Sequence, residues 1–327
     1  MARGHTGLPT AQAVTFSKHE LLRQLQAVDS CNEAKARVLK LETAFRKKIE
    51  SHTASFLLGD APFRKFNTNP FVLLIHAAHR GYSLVEQIEA DILPAKQFSS
   101  METSAGKTVE EVALPIYGWE CVLSEMQSPE SALDGRLPGS TPLQVATLKS
   151  GPSCLNDPTS ENFADAVINH AHVWAADASV KVIDFTYGVL YGTPCQSNKK
   201  DWHILRRLNE KISKLKGGKV IVSPEDRWDC SVQVRGVQVD ASVRIGQDWW
   251  QHLGGETCLV EVMTALIRGC VTPAPLAKRN HQYVIGDLGG MVSIDEVPKD
   301  FNVGLLQRSQ LPWFFLMASH FCDVIEW

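Results

Sequence analysis

The run Val180–Tyr191 (VKVIDFTYGVLY) restricts the fold more than any other stretch. It is rich in β-branched and aromatic residues, which suits a strand at the centre of a sheet. Upstream, Asn156-Asp157-Pro158-Thr159 has the chemistry of a helix start, so a helix is expected over 160–175. A shorter apolar strand, Val145–Leu148, precedes that helix and is closed by Gly151-Pro152. Strand, helix and strand in close succession predict an α/β core, with helices flanking a few strands.

The rest of the chain reads as helical additions around this core. Ser17-Lys18-His19-Glu20 forms a capping box, and Leu21, Leu25, Val28, Cys31, Ala34, Val38, Leu41, Phe45 and Ile49 follow at helical spacing. This predicts a long amphipathic helix, broken once near Ser30, with a polar face rich in Lys and Arg. Asn67–Phe71 reads as a turn, Val72–Ala90 as a helix, and a third helix is expected to start near Lys107 and stop at Pro115. Further on, a helix is expected over 201–216, strands over 219–222 and 231–239, and a helical region from Gln247 to about Arg268. At 327 residues one large or two modest domains are expected. The division read from the sequence is a basic N-terminal helical region (1–66), a core (67–265) and a C-terminal extension packing on it (266–327).

Charge is unevenly spread. Residues 1–65 carry eleven Lys/Arg against six Asp/Glu, residues 100–166 three against ten, and residues 199–220 eight against two. Basic flanks around an acidic middle suit a chain that holds a polyanion while binding cations. The eight cysteines form no CxxC or CxxH pair, so reduced, buried thiols are expected rather than a disulfide frame or a zinc site. Signal-peptide character is lacking, and the apolar runs are short for a bilayer, so a soluble, cytoplasmic protein is expected. GxSxG, GxxxxGK[ST], GxGxxG and HExxH are all missing from the sequence, so none of these motifs supports a particular rival enzyme.

What remains is an acid, a strand and a lysine. Leu133-Asp134-Gly135 closes one short apolar run, and the strand LQVATLK ends in Lys149. Strand periodicity sets Val145, Thr147 and Lys149 on one face. An acid beside an ammonium suits phosphodiester hydrolysis: carboxylates hold Mg²⁺, which needs only one or two of them, and the ammonium orients water or offsets developing charge. Nucleases built this way carry an acid two residues before the lysine, where this chain has Thr147. The second carboxylate is then expected from Glu111 on the preceding helix, or from Glu161 or Asp165 on the following one, with Gln144 as a neutral oxygen donor.

The order Gly106-Lys107…Glu111…Leu114-Pro115, Asp134, Leu143…Lys149-Ser150-Gly151-Pro152, Val182…Gly192, Asp201-Trp202…Arg207 and Gly246…Leu253 resembles the type II restriction endonucleases of the PD-(D/E)xK superfamily. It is similar in particular to the subgroup cutting interrupted GGNCC-type palindromes, which the Asn69-Pro70-Phe71 turn also matches. The resemblance spans roughly 67–265. It implies a PD-(D/E)xK core, that is a central mixed β-sheet flanked by helices, with Asp134 as metal ligand, Lys149 as catalytic lysine and Glu111 as the helix carboxylate near Mg²⁺, with Glu161 a further candidate ligand and Thr147 in the place of the strand acid. It also implies cleavage of double-stranded DNA leaving 5′-phosphates, a homodimer matching a palindrome, and a cognate DNA methyltransferase as genetic neighbour. DNA contacts are expected from Lys199, Lys200, Arg206, Arg207, Arg227 and Arg235. Trp249 and Trp250 are expected in the core or a dimer contact. The alternative is a sequence-specific DNA-binding protein on the same fold, with cleavage weakened or lost at Thr147.

Overall fold

The computed structural model describes residues 7–56, 61–63, 70–122, 132–274 and 283–327. Its framework is a mixed seven-stranded sheet in the order β2-β3-β4-β5-β8-β7-β6. β2 (Glu120–Cys121), β3 (Gly135–Leu137) and β4 (Leu143–Lys149) run as an antiparallel meander. From β4 the chain crosses through α5 (Asp157–Asp177) to β5 (Val182–Val189), which lies parallel to β4. β5 is the middle strand, as its composition predicts. The Asn156 side chain caps α5 by accepting from the Thr159 N–H, and the Pro158 ring fits the first turn, where no intrahelical donor is needed.

After β5 come α6 (Trp202–Ile212), β6 (Lys219–Val222), β7 (Asp229–Val234) and β8 (Val237–Ile245), the last parallel to β5. The expected single strand over 231–239 is therefore a hairpin. Arg235 and Gly236 both have positive φ, the backbone of the tight turns that match strand twist. Arg235 is not a residue that announces such a turn.

The two faces of the sheet separate cleanly. Val145, Phe185, Tyr187 and Val243 pack with α5 and α6 residues such as Ala164, Val167, Leu205 and Leu208. Ala146 and Leu148 face the other way, joining a core of Trp249 and Trp250 from α7 (Gln247–Gly254) and Val260, Met263 and Ile267 from α8 (Cys258–Cys270). The same core takes in α1 (Lys18–Ser30), α2 (Asn32–Ala54) and α10 (Leu311–Ala318), so residues from both ends of the chain share one interior. β1 (Thr15–Ser17) pairs with β9 (Val324–Glu326), while the short α9 (Leu288–Val292) lies close to Lys18, whose ammonium donates to the Gly290 carbonyl at 2.9 Å. The expected break near Ser30 is present between α1 and α2, and both tryptophans are buried core residues.

The region before the meander differs from expectation. The helix expected over 72–90 stops at Arg80, giving α3 (Pro70–Arg80), and the next helix is α4 (Glu86–Ile116), which starts well before Lys107. The Gln87 side chain accepts from the Ser83 and Leu84 N–H groups, which ties the turn between the helices to the first turn of α4. His76 and Tyr82 both meet the Asp91 carboxylate, at 2.8 and 2.9 Å, and clasp the two helices together. Asn67–Asn69 of the expected turn lie outside the described residues. The helical region expected over 247–268 is two helices, parted at Gly255. All eight thiols are free as expected, but only Cys230, Cys258 and Cys322 are buried, while Cys31, Cys154, Cys195 and Cys270 are exposed.

Candidate active site

Asp134 sits immediately before β3. Its N–H donates to the Ala146 carbonyl at 2.8 Å and its own carbonyl accepts from the Val122 N–H at 3.0 Å. The β3–β4 register pairs Gly135 with Ala146, so Asp134 stands across from Thr147. The two side chains meet: the Thr147 hydroxyl donates to Asp134 Oδ2 at 3.1 Å, and the Leu148 N–H donates to the same oxygen at 2.7 Å. One oxygen of the carboxylate is thereby fixed, and no bond among the described residues engages Oδ1. Thr147 is a buried group that orients the acid.

Lys149 follows on the face shared with Thr147. It is half-buried, with its ammonium 5.5 Å from the Phe163 ring centroid of α5. It has no carboxylate within ion-pair distance among the described residues. An unneutralised ammonium beside a fixed carboxylate suits attraction of an anionic oxygen.

α4 brings a carboxylate over these groups, and it is Glu110. The helix passes the end of β4 at Gly106, where a Cβ would come 1.9 Å from Ser150 Oγ and 3.0 Å from Ser150 Cβ, so any larger residue would require Ser150 to shift. Glu110 is one turn further along the same helical face. Burial and then the nearby Asp134 carboxylate push its carboxyl up to about 7, against a smaller opposing pull from Lys149. A half-buried carboxylate whose ionisation is opposed by burial and by a like charge is the electrostatic state that a cation relieves.

Glu111, expected in that position, is turned aside. It pairs with Lys48 of α2 and lies 3.9 Å from Lys107 on its own helix. A step of one residue rotates a helical side chain by about 100°, so Glu110 and Glu111 cannot both face the sheet end. The other carboxylates considered from sequence point elsewhere too. Glu161 and Asp165 of α5 both reach Lys211 of α6, at 3.0 and 2.7 Å. Gln144 lies on the opposite face of β4 from Lys149, because the pleat alternates.

The donor set fits a divalent cation of the Mg²⁺ type, which takes oxygen donors and needs only one or two carboxylates. Asp134 and Glu110 would hold it. Among the described residues no group of three or more His, Cys, Asp or Glu side chains has metal-binding geometry.

The expected DNA-contacting side chains are each engaged within the chain. Lys200 pairs with Asp157 at 2.6 Å, Arg206 and Arg207 both pair with Glu210, and Arg227 pairs with Asp229. Lys199 donates to the Pro194 carbonyl and lies 4.9 Å over the Trp228 ring, and Arg235 reaches the Asn169 carbonyl at 3.4 Å.

No family model matches this chain, and no curated protein matches it either. Among the described residues no helix is long and apolar enough to cross a membrane.

Proposed function

We propose that this chain is a Mg²⁺-dependent endonuclease of the type II restriction class, on a PD-(D/E)xK-like core, hydrolysing double-stranded DNA at a short interrupted palindrome. The observation that carries the reading is the convergence of Asp134, Lys149 and Glu110, with Thr147 holding the first of them. Each comes from a different part of the chain, and among the described residues neither carboxylate forms an ion pair, Lys149 and then Lys107 being the cations that act on Glu110.

Asp134 and Glu110 would bind the cation, which supplies neutralisation of charge on the phosphate and eases ionisation of water. Lys149 holds the attacking water or a non-bridging phosphate oxygen through its N–H groups. Thr147 and the Leu148 N–H keep Asp134 in one rotamer, so its free oxygen has a fixed direction. The water oxygen forms a bond to phosphorus as the P–O3′ bond breaks. The water proton passes to solvent, the 3′-oxygen takes one from solvent, and the phosphate stays on the 5′ end. A palindrome presents the same half-site twice, so the active species is a homodimer, with a cognate DNA methyltransferase expected beside it.

Incubation of plasmid DNA with the full chain and Mg²⁺ tests this. Discrete fragments with 5′-phosphate ends are expected; no cutting by folded protein overturns the reading. Thr147, in place of a strand acid, favours one second reading: a DNA-binding protein that no longer cuts. It would shift a defined duplex and leave it intact under every divalent ion.

A further inference from the structure

Glu261 of α8 is a fully buried carboxylate outside the candidate site, and four donors fill it. Arg37 of α2 donates twice, from Nε to Oε2 and from Nη2 to Oε1, both at 2.7 Å. The Thr257 hydroxyl donates to Oε1 at 2.8 Å and the Tyr117 phenol to Oε2 at 2.9 Å. A charge wholly out of water is tolerated only with such a set of partners, and the set holds its members to one geometry. Three of the bonds concern α8 and α2. The fourth brings in α4, because Tyr117 is the residue that closes that helix. Its ring is seated as well as bonded. It lies on Gly254 at the end of α7, where a Cβ would come 2.4 Å from Tyr117 Cδ1, and the Arg37 guanidinium stands 5.9 Å from its centroid.

Along α4, Gly106, Glu110, Leu114 and Tyr117 follow one another at helical spacing and form one stripe. Gly106 meets Ser150 just after β4, and Leu114 lies against Gly135, the residue after Asp134. Glu110 stands between those two contacts, and Tyr117 ends the stripe. We propose that Tyr117, held by Glu261, is a positioning residue that fixes the rotation of α4 and so presents Glu110 rather than Glu111 to the sheet end. A helix turns by about 100° per residue, so rotation by a fraction of that angle takes the Glu110 carboxylate away from Asp134. The apolar contact of Leu114 is non-directional and tolerates such a rotation; a hydrogen bond into a filled carboxylate does not. The exposed pair of Lys48 with Glu111 also joins α2 to α4, but pairs of that kind contribute little. That Glu110 is the carboxylate to be positioned rests on the nuclease reading; the anchor at Glu261 does not.

NMR titration of the full chain, with ¹³C-labelled glutamate side chains and without metal or DNA, tests the anchor. The Glu110 signal is identified by its loss in Glu110→Gln. Its midpoint is expected near 7 in the wild type and lower by about one pH unit in Tyr117→Phe, which keeps the ring and removes its bond to Glu261. Gly254→Ala, which keeps every hydrogen-bonding group and displaces the ring, is expected to lower it as well, so either variant decides should the other misfold. Ile212→Val trims the core on the other face of the sheet and is expected to reduce stability without moving the Glu110 midpoint. The proposal is overturned by a wild-type midpoint near 4.5, by folded Tyr117 and Gly254 variants that keep the wild-type midpoint, or by an equal shift in Ile212→Val. Cleavage is measured separately. A chain that never cuts, with a Glu110 midpoint that responds to Tyr117, removes the nuclease reading alone; a chain that cuts, with a midpoint that does not respond, removes the positioning role alone.

Discussion

Two charged helices flank the sheet, and the fold treats their charges in opposite ways. On α6 the cations face acids of the same chain: Arg206 and Arg207 share Glu210, and Lys211 takes Glu161 and Asp165. At the sheet end of α4, Glu110 has no hydrogen-bond partner among the described residues, and its nearest influences are a like charge and Lys149. Exposed pairs of the α6 kind contribute little, about 0–1 kcal/mol each. An unneutralised, half-buried carboxylate is a cost, and a fold that keeps one has kept it beside Asp134. A run of basic residues thus marked the less promising helix, and a pair of acids marked the more promising one.

The comparison breaks most visibly at Asp134. Asp134→Ala removes the fixed carboxylate and is expected to lower the cleavage rate by about 10³-fold or more, with duplex binding without metal retained; loss of binding in step with cutting would show only a folding role. Thr147→Val comes next. It removes one donor to Asp134 Oδ2 and leaves the Leu148 N–H, so about a tenfold loss in rate or Mg²⁺ affinity is expected. A rate unchanged within error would mean that the hydroxyl does not orient the acid.

Stability against pH sharpens the electrostatic half. Glu110 titrates at about 7 in the folded chain against 4.5 as the ordinary value. The folded state therefore binds more protons than the unfolded state between those values, and stability falls as pH rises from about 4.5 to about 7, then levels off. Without metal, Glu110→Gln is expected to match the wild type at low pH and to exceed it above pH 7 by on the order of 1–3 kcal/mol. Denaturant midpoints at the two ends of that window measure it, and parallel pH profiles would contradict it. The smallest effect belongs to α6. Arg206→Ala with Arg207→Ala should change stability by about 0.5 kcal/mol or less. If those arginines exchange Glu210 for DNA phosphate, the slope of log affinity against log salt falls by about two.

Much of the fold is legible in the sequence because its signals are local. The composition of Val182–Val189 marks a central strand, Asn156 and Pro158 mark the start of α5, and period-two spacing sets Thr147 and Lys149 on one face. The middle of α4 is not legible: the expected helix over 72–90 takes in its start, but nothing marks residues 91–106 as helical, since Pro94, Ser99, Ser100 and Ser104 are weak helix formers, yet Ile92 and Ala95 line a groove against α3. The β7–β8 hairpin is hidden by Arg235 in a turn position. At the site, Asp134 and Lys149 are readable, but the choice between Glu110 and Glu111 is tertiary. It depends on which face of α4 meets β4, and the one sequence clue is Gly106, a mid-helix glycine whose explanation is a close approach.

The most direct measurement is therefore a pair of single-turnover cleavage rates in saturating Mg²⁺, for Glu110→Gln and Glu111→Gln beside the wild type. Glu110→Gln is expected to fall by about 10²-fold or more, while Glu111→Gln, which loses its surface pairs with Lys48 and Lys107, stays within about threefold. The reverse order, or equal rates for the two variants, would contradict the site described for this chain.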